Sequence, residues 1–292
     1  MGMMDDLLCS GHAACPGCIE ALSLRRVLAA LGPDTVAVIP PSCLAIIAGP
    51  QPLSSLRIPV YQPALETSAA SASGLRRALD SRGKKDTLVA VFAGDGGTYD
   101  IGFQSLSSAA ERNENILYFC FDNEGYMNTG AQKSSSTPHF ARTGSTPAGK
   151  PSKKKNLTEI MAAHEIPYAA TACAGFQADL LRKVEKAKAM RGLRLITLLV
   201  PCLDGWGVPE DQGIALSRLA VQTGVFPLYE VEDGRRYTLN DPPKSRPVRE
   251  YLEKQGRYSA LEESAVQQLQ REVDEGWARL LQRAGAGIPV SS

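Results

Sequence analysis

Short runs of uninterrupted apolar residues alternate along the chain with segments whose apolar positions recur every three or four residues. "EALSLRRVLAALG" places Ala21, Leu24, Leu28 and Leu31 at helical spacing before Gly32-Pro33, which predicts a helix with a glycine stop. "TVAVIPP" then reads as a buried strand. "LETSAASASGLRRALDSRG" follows as a helix, "TLVAVFAGDGG" as a strand, "GFQSLSSAAERN" as a helix and "NILYFCFDNEG" as a strand. The alternation continues through "LTEIMAAHE", "YAATACA", "QADLLRKVEKAKAM" and "LRLITLLVPC". Strands apolar throughout and separated by helices predict an α/β fold whose mostly parallel sheet is covered by helices on both faces.

Such sheets bind ligands beyond the carboxyl ends of their strands. Three strand ends carry chemistry there: "AGDGG", "DNEGYMN" and "PCLDGWG". Between 124 and 156 the chain is polar and aperiodic, a length of loop that is usually functional. The basic run "KPSKKK" at 150–155 is expected as a solvated loop or partner contact. After 224 the pattern changes to "FPLYEVEDGRRYTLN", a predicted hairpin turning at Asp233-Gly234, and then to an amphipathic helix near 261–284. The expected organisation is one α/β domain over 1–224 with a hairpin and helical extension over 225–292.

A chain of 292 residues buries an adequate core without staples. Its seven cysteines are odd in number and scattered, and "MGMMDDLLCSGH" has neither the basic nor the apolar region of a signal peptide, so a reducing, cytoplasmic setting is expected. A net charge of +1 and the absence of a membrane-length apolar run argue against a nucleic-acid wrapper and a membrane anchor. Cys15 and Cys18 in "GHAACPGCIE" form a C-x-x-C that suits a metal, a redox dithiol or a stapled turn.

In "GDGG" at 94–97, glycines surround one carboxylate, so the backbone approaches a diphosphate while Asp95 offers oxygen to a hard cation. Alone, this is also an ordinary tight turn. "DNEGYMN" adds a second strand end with the side-chain oxygen of Asn123 and the carbonyl of Gly125. Oxygens from two strand ends suit Mg²⁺, which takes octahedral oxygen ligands and few from protein.

"GDGGTYDIGFQSLSSAAERNENILYFCFDNEGYMNTGAQKSSSTP" resembles the thiamine-diphosphate enzymes, and within them the β subunits of pyruvate and related 2-oxoacid:ferredoxin oxidoreductases. The likeness extends from "GHAACPGC" through "SAASASGLRRAL" and "PAGK" to "VPCLDGWG" and "LAVQTGVFPLYE". It implies a [4Fe-4S] cluster held by Cys15, Cys18, Cys43 in "PPSCLAI" and Cys202, four thiolates being what a cubane needs. It implies Mg²⁺ on Asp95, Asn123 and Gly125, thiamine diphosphate lined by Glu20, Gly94 and Gly96, and Asn128 facing the substrate. Glu66 is a weaker candidate, since a glutamate opening a helix also serves the helix dipole. Cys120 and Cys173 lie inside apolar strands and read as core residues. His12 and His139 read as structural or exposed, and Cys9 stays ambiguous. The sequence departs from the family's C-x-x-C-G-E in having Ile19 at the glycine, while Glu20 keeps its place.

The implied activity is oxidative decarboxylation of a 2-oxoacid to acyl-coenzyme A and CO₂, with electrons passed through the cluster to ferredoxin. Pyruvate is the default substrate, with phenylglyoxylate, a branched-chain 2-oxoacid or oxalate as alternatives. The resemblance places the glutamate that activates the thiamine on another subunit (of α or γ/δ type), so this chain is expected to be half an active site. Two other classes compete. A non-redox thiamine-diphosphate decarboxylase or synthase has no use for four matched cysteines, and a zinc-binding interaction module has no use for a diphosphate site.

Overall fold

The apolar runs pair as strands of one sheet in a computed structural model of the chain, which describes residues 6–242 and 246–285. The strands are β1 (Thr35–Val38), β2 (Val60–Tyr61), β3 (Leu88–Gly94), β4 (Leu117–Asp122), β5 (Tyr168–Cys173), β6 (Arg194–Leu199), β7 (Leu228–Glu232) and β8 (Arg236–Asp241). They lie in the order β2-β1-β3-β4-β6-β5-β7-β8. The first six are mutually parallel, while β7 runs antiparallel to β5 and β8 antiparallel to β7. The β7–β8 hairpin turns through Asp233 (φ 49°) and Gly234 (φ 67°), the left-handed pair that matches strand twist.

Helices α1 (Ile19–Leu31), α2 (Cys43–Ala48) and α6 (Gln177–Ala189) cover one face. There Leu24 and Leu28 pack on Phe92, Phe119 and Ile196, and Phe92 stacks on Phe119 with ring centroids 5.4 Å apart. Helices α3 (Ser68–Ser81), α4 (Phe103–Glu111) and α5 (Leu157–Ala162) cover the other face. Val89, Val91, Tyr118 and Leu195 point into that core. Each fully buried large apolar side chain stabilises the fold by about 1.5–3 kcal/mol relative to exposure. A third core gathers the short helix α7 (Leu203–Trp206), α8 (Gly213–Gln222), α9 (Val248–Leu252) and α10 (Glu263–Arg283) around Trp206, Leu216 and Tyr251. Cys120 and Cys173 are fully buried, in the second and third cores, as their apolar settings predict.

Strand register aligns the chemistry. Gly94 pairs with Phe121 and Phe121 with Leu198, so β3, β4 and β6 end together. The segments carrying Asp95, Asn123 and Cys202 therefore leave the sheet along one edge. The continuation of β1 reaches the same place, with Ser42 Cβ 3.7 Å from where a side chain on Gly94 would begin. Among the described residues no helix is long and apolar enough to cross a membrane.

Candidate functional site

Beyond β3 the chain enters a wide, π-type helical turn over Gly96–Ile101 with Asp95 at its N-terminal cap. Asp95 is fully buried, and its Oδ2 accepts a 2.5 Å hydrogen bond from Ser134 Oγ. Burial, and then the nearby Asp122 carboxylate, push its pKa well above the usual carboxylate range. Gly96 is required by packing: a Cβ there would sit 2.3 Å from the Tyr126 ring. The Tyr126 hydroxyl in turn lies 3.0 Å from the Gly96 carbonyl.

Asn123 brings two motifs together. One end of its amide lies 2.8 Å from both Asp95 Oδ1 and the Gly125 carbonyl, and the other end lies 3.4 Å from Glu20 Oε2. With the amide nitrogen toward Asp95, it donates to both oxygens. Turned over, the amide makes three oxygens converge on one point, an arrangement that a hard cation among them holds together. Glu20 is buried and its Oε1 has no partner among the described residues. Burial raises its carboxyl to about 7, against the lowering effect of Asn123. An unmet buried carboxyl oxygen beside the Asp95, Asn123 and Gly125 polar group is the environment a polar cofactor atom completes.

The four candidate cysteines surround the same ground. Cys18 caps α1, accepting from Ala21 N at 3.5 Å, and Cys202 caps α7, accepting from Gly205 N at 3.4 Å. Cys43 opens α2. Burial raises the Cys43 thiol first, followed by the charges of Glu20, Cys202, Cys18 and Cys15, so all of these groups feel one another. Burial likewise pushes Cys18 and Cys202 to about 11. Cys15 is exposed and the other three half-buried. Among the described residues, no three His, Cys, Asp or Glu side chains are gathered tightly enough for a single metal ion. Ile19 fits because Gly213 faces it: a Cβ on Gly213 would lie 2.5 Å from Ile19 Cδ1.

Within the basic run, Lys153 and Lys155 are exposed, whereas Lys150 and Lys154 depart from the expectation of a solvated loop. Lys150 is buried and donates to the Thr137 carbonyl at 2.5 Å. Lys154 Nζ bridges Asp122 Oδ2 at 2.7 Å and Glu124 Oε1 at 2.8 Å. Burial opposes its charge, but the two carboxylates outweigh burial and raise its pKa. Glu124 Oε2 also takes Arg257 Nη2 at 2.6 Å, and the two cations hold its carboxyl below the ordinary range against burial. The loop therefore folds back on its own strand end, because two buried carboxylates leaving β4 require cations. Sequence reading missed Asp122, Glu124, Lys154, Arg257 and Trp206. The only signal was three adjacent polar residues, "DNE", at an apolar strand's end with a lysine run downstream.

Asn128 is exposed at the mouth of the loop. Gly94 and Gly125 lie at the site, and the backbone of Gly125 is closely packed, since a Cβ would meet Gln132 O at 2.8 Å. Glu66 sits two residues before α3, with its carbonyl accepting from Ser105 Oγ at 2.9 Å. His12 Nδ1 accepts from Ala14 N at 3.4 Å, and His139 pairs with Glu272 at 2.9 Å while stacking on Phe140. These are structural contacts. Cys9 Sγ accepts from Arg57 Nε at 3.2 Å.

Residues 50–198 match the model of the thiamine pyrophosphate enzyme C-terminal TPP-binding domain. The chain is 45% identical to the pyruvate synthase subunit PorB of Methanocaldococcus jannaschii, over 93% of this chain and 95% of that protein. It is 46% identical to the ketoisovalerate oxidoreductase subunit VorB of Pyrococcus abyssi, over 93% of this chain and 91% of the other. A solved 2-oxoglutarate:ferredoxin oxidoreductase from Magnetococcus marinus shares the fold, with a TM-score of 0.59 at 21% identity, covering 88% of this chain and 91% of that one. The paired sheet edge, the buried GDG turn and identity at this level over nearly the whole length converge: the chain belongs to the thiamine-diphosphate-binding β subunits of the 2-oxoacid:ferredoxin oxidoreductases.

Proposed function

We propose that this subunit holds Mg²⁺ and a [4Fe-4S] cluster beside its thiamine diphosphate and serves oxidative decarboxylation of pyruvate to acetyl-coenzyme A, with electrons leaving to ferredoxin or a similar acceptor. The observation that carries the reading is the meeting of Asp95 Oδ1, the Gly125 carbonyl and the Asn123 amide at 2.8 Å, next to the unpartnered Oε1 of buried Glu20. Bound thiamine diphosphate supplies the carbon chemistry that releases CO₂, and the cluster supplies a one-electron acceptor.

The chain's own groups bind and orient. Asp95, Asn123 and Gly125 hold the cation that seats the diphosphate, and Gly94 and Gly96 line its approach. Glu20 offers its free oxygen to a polar hydrogen of the cofactor. Cys15, Cys18, Cys43 and Cys202 supply four thiolates. Four thiolates are the number a cubane cluster takes. Asn128 faces the substrate at the open lip. The activating glutamate and the rest of the acid pocket come from a partner subunit.

A branched-chain substrate is the second reading, since a ketoisovalerate oxidoreductase subunit is as similar to this chain, at 46% identity, as pyruvate synthase subunits are at 45–46%. The deciding experiment is anaerobic purification of the complex containing this chain, followed by viologen reduction with coenzyme A and a panel of 2-oxoacids. Pyruvate is expected to give the highest kcat/KM in a brown, iron-containing preparation. A colourless preparation with full turnover would contradict the cluster, and preference for 2-ketoisovalerate would select the second reading.

A further inference from the structure

We infer that Trp206 and Arg257 are positioning residues that lock the cation-binding loop to the helix carrying Cys202. This inference rests on the reading proposed above. Trp206 ends the single turn of α7 that Cys202 caps. Its side chain is fully buried, and its Nε1 donates to the Asn123 carbonyl at 2.8 Å. One residue thus offers its side chain to the cation group and its backbone to the cysteine helix.

Arg257 clamps this joint from the far side. Its guanidinium lies over the Trp206 ring, 3.7 Å from the centroid. It donates to Glu124 Oε2 at 2.6 Å and to Gln255 Oε1 at 2.9 Å. Glu124 adopts φ 63°, unusual for a residue with a side chain, and its amide N donates to Asp122 Oδ1 at 3.2 Å. Such a conformation persists where surrounding contacts over-determine it. The backbones join as well: Gly256 N donates to Gly207 O at 3.1 Å, and a Cβ on Gly207 would come 3.0 Å from Gly256 Cα. Segment 255–258 is thereby keyed into both ligand-bearing pieces, although Trp206 and Arg257 are not themselves candidate ligands. A short helix has no length over which to absorb a shift, so movement of Trp206 passes directly to Cys202.

The test uses the assembled complex, with three readouts: iron per chain, thiamine diphosphate affinity, and the EPR spectrum and midpoint potential of the cluster. Trp206→Phe keeps an aromatic ring, though a smaller one, beneath Arg257 and removes the Nε1 hydrogen bond. It is expected to retain iron, weaken thiamine diphosphate binding by about five- to tenfold, the worth of one buried hydrogen bond, and shift both the spectrum and the potential. Arg257→Met is expected to do the same more strongly, with partial rescue in Arg257→Lys. Arg182→Met, which breaks a remote ion pair with Glu230, serves as a control that lowers melting temperature alone. Wild-type affinity and spectrum in Trp206→Phe would overturn the inference, as would equal losses in Arg182→Met. Wild-type complex lacking a cluster signal would instead overturn the reading on which it rests.

Discussion

Lys154 Nζ stands 2.7 Å from Asp122 Oδ2, tying the end of the long loop to the strand that launches it. The pair joins a series of alternating charges, Arg257 to Glu124 to Lys154 to Asp122, under the cofactor site. Buried charges are tolerated only when paired, so each member depends on its neighbours.

Replacing Lys154 by Met is accordingly expected to destabilise the chain by about 3 kcal/mol, since two buried carboxylates lose their shared cation. Thermal melting checks the stability. Thiamine diphosphate titration checks the site, where affinity is expected to fall as the Asn123 loop loosens. A melting temperature equal to wild type would show that the carboxylates find another partner.

On the proposed reading, Asp95→Ala removes a carboxylate ligand from a cation that takes few protein ligands. Thiamine diphosphate and Mg²⁺ affinity are expected to drop by at least about a hundredfold. Iron content is expected to stay near wild type, because the cysteines approach from other segments. Joint measurement of iron and bound cofactor separates the two sites.

Serine at Cys43 or Cys202 is expected to abolish the cluster, whereas serine at Cys120 or Cys173 leaves iron unchanged and costs stability, since both of these are fully buried. Iron analysis of anaerobically prepared protein distinguishes the two sets. Undiminished iron in the Cys43 variant would refute its role as a ligand.

Glu230, buried on β7, provides a pH-dependent element remote from the site. Burial raises its carboxyl, but hydrogen bonds from Lys186, Arg182, Tyr168 and Asn240 outweigh burial and bring it from 4.5 to about 2. A folded pKa below the unfolded one contributes stability that is complete above about pH 4.5 and fades as pH falls toward about 2. Glu230→Gln is therefore expected to cost about 2 kcal/mol at neutral pH, after allowance for the partly exposed Arg182 and Lys186, and progressively less below pH 4.5. Denaturant melts across that range measure the convergence of the two proteins.

The sequence by itself determined the layering and the chemistry-bearing strand ends. Apolar runs such as "LVAVFAG" and "LYFCFD" admit burial on both faces and hence a parallel sheet, and helical periodicity places Leu24 and Leu28 toward it. Gly-Asp-Gly and Asn123 were legible as candidates because the hard-cation and diphosphate binding proposed for them restricts residue type locally. Only the tertiary structure decided what those groups rest on. Lys154 reads as one of several solvated lysines until β4 ends beside it, and Arg257 lies in a stretch without periodicity, far along the chain from Glu124. Periodicity reports which face of an element is apolar, whereas the pairing of a buried charge depends on which distant segment the fold brings within about 3 Å of it.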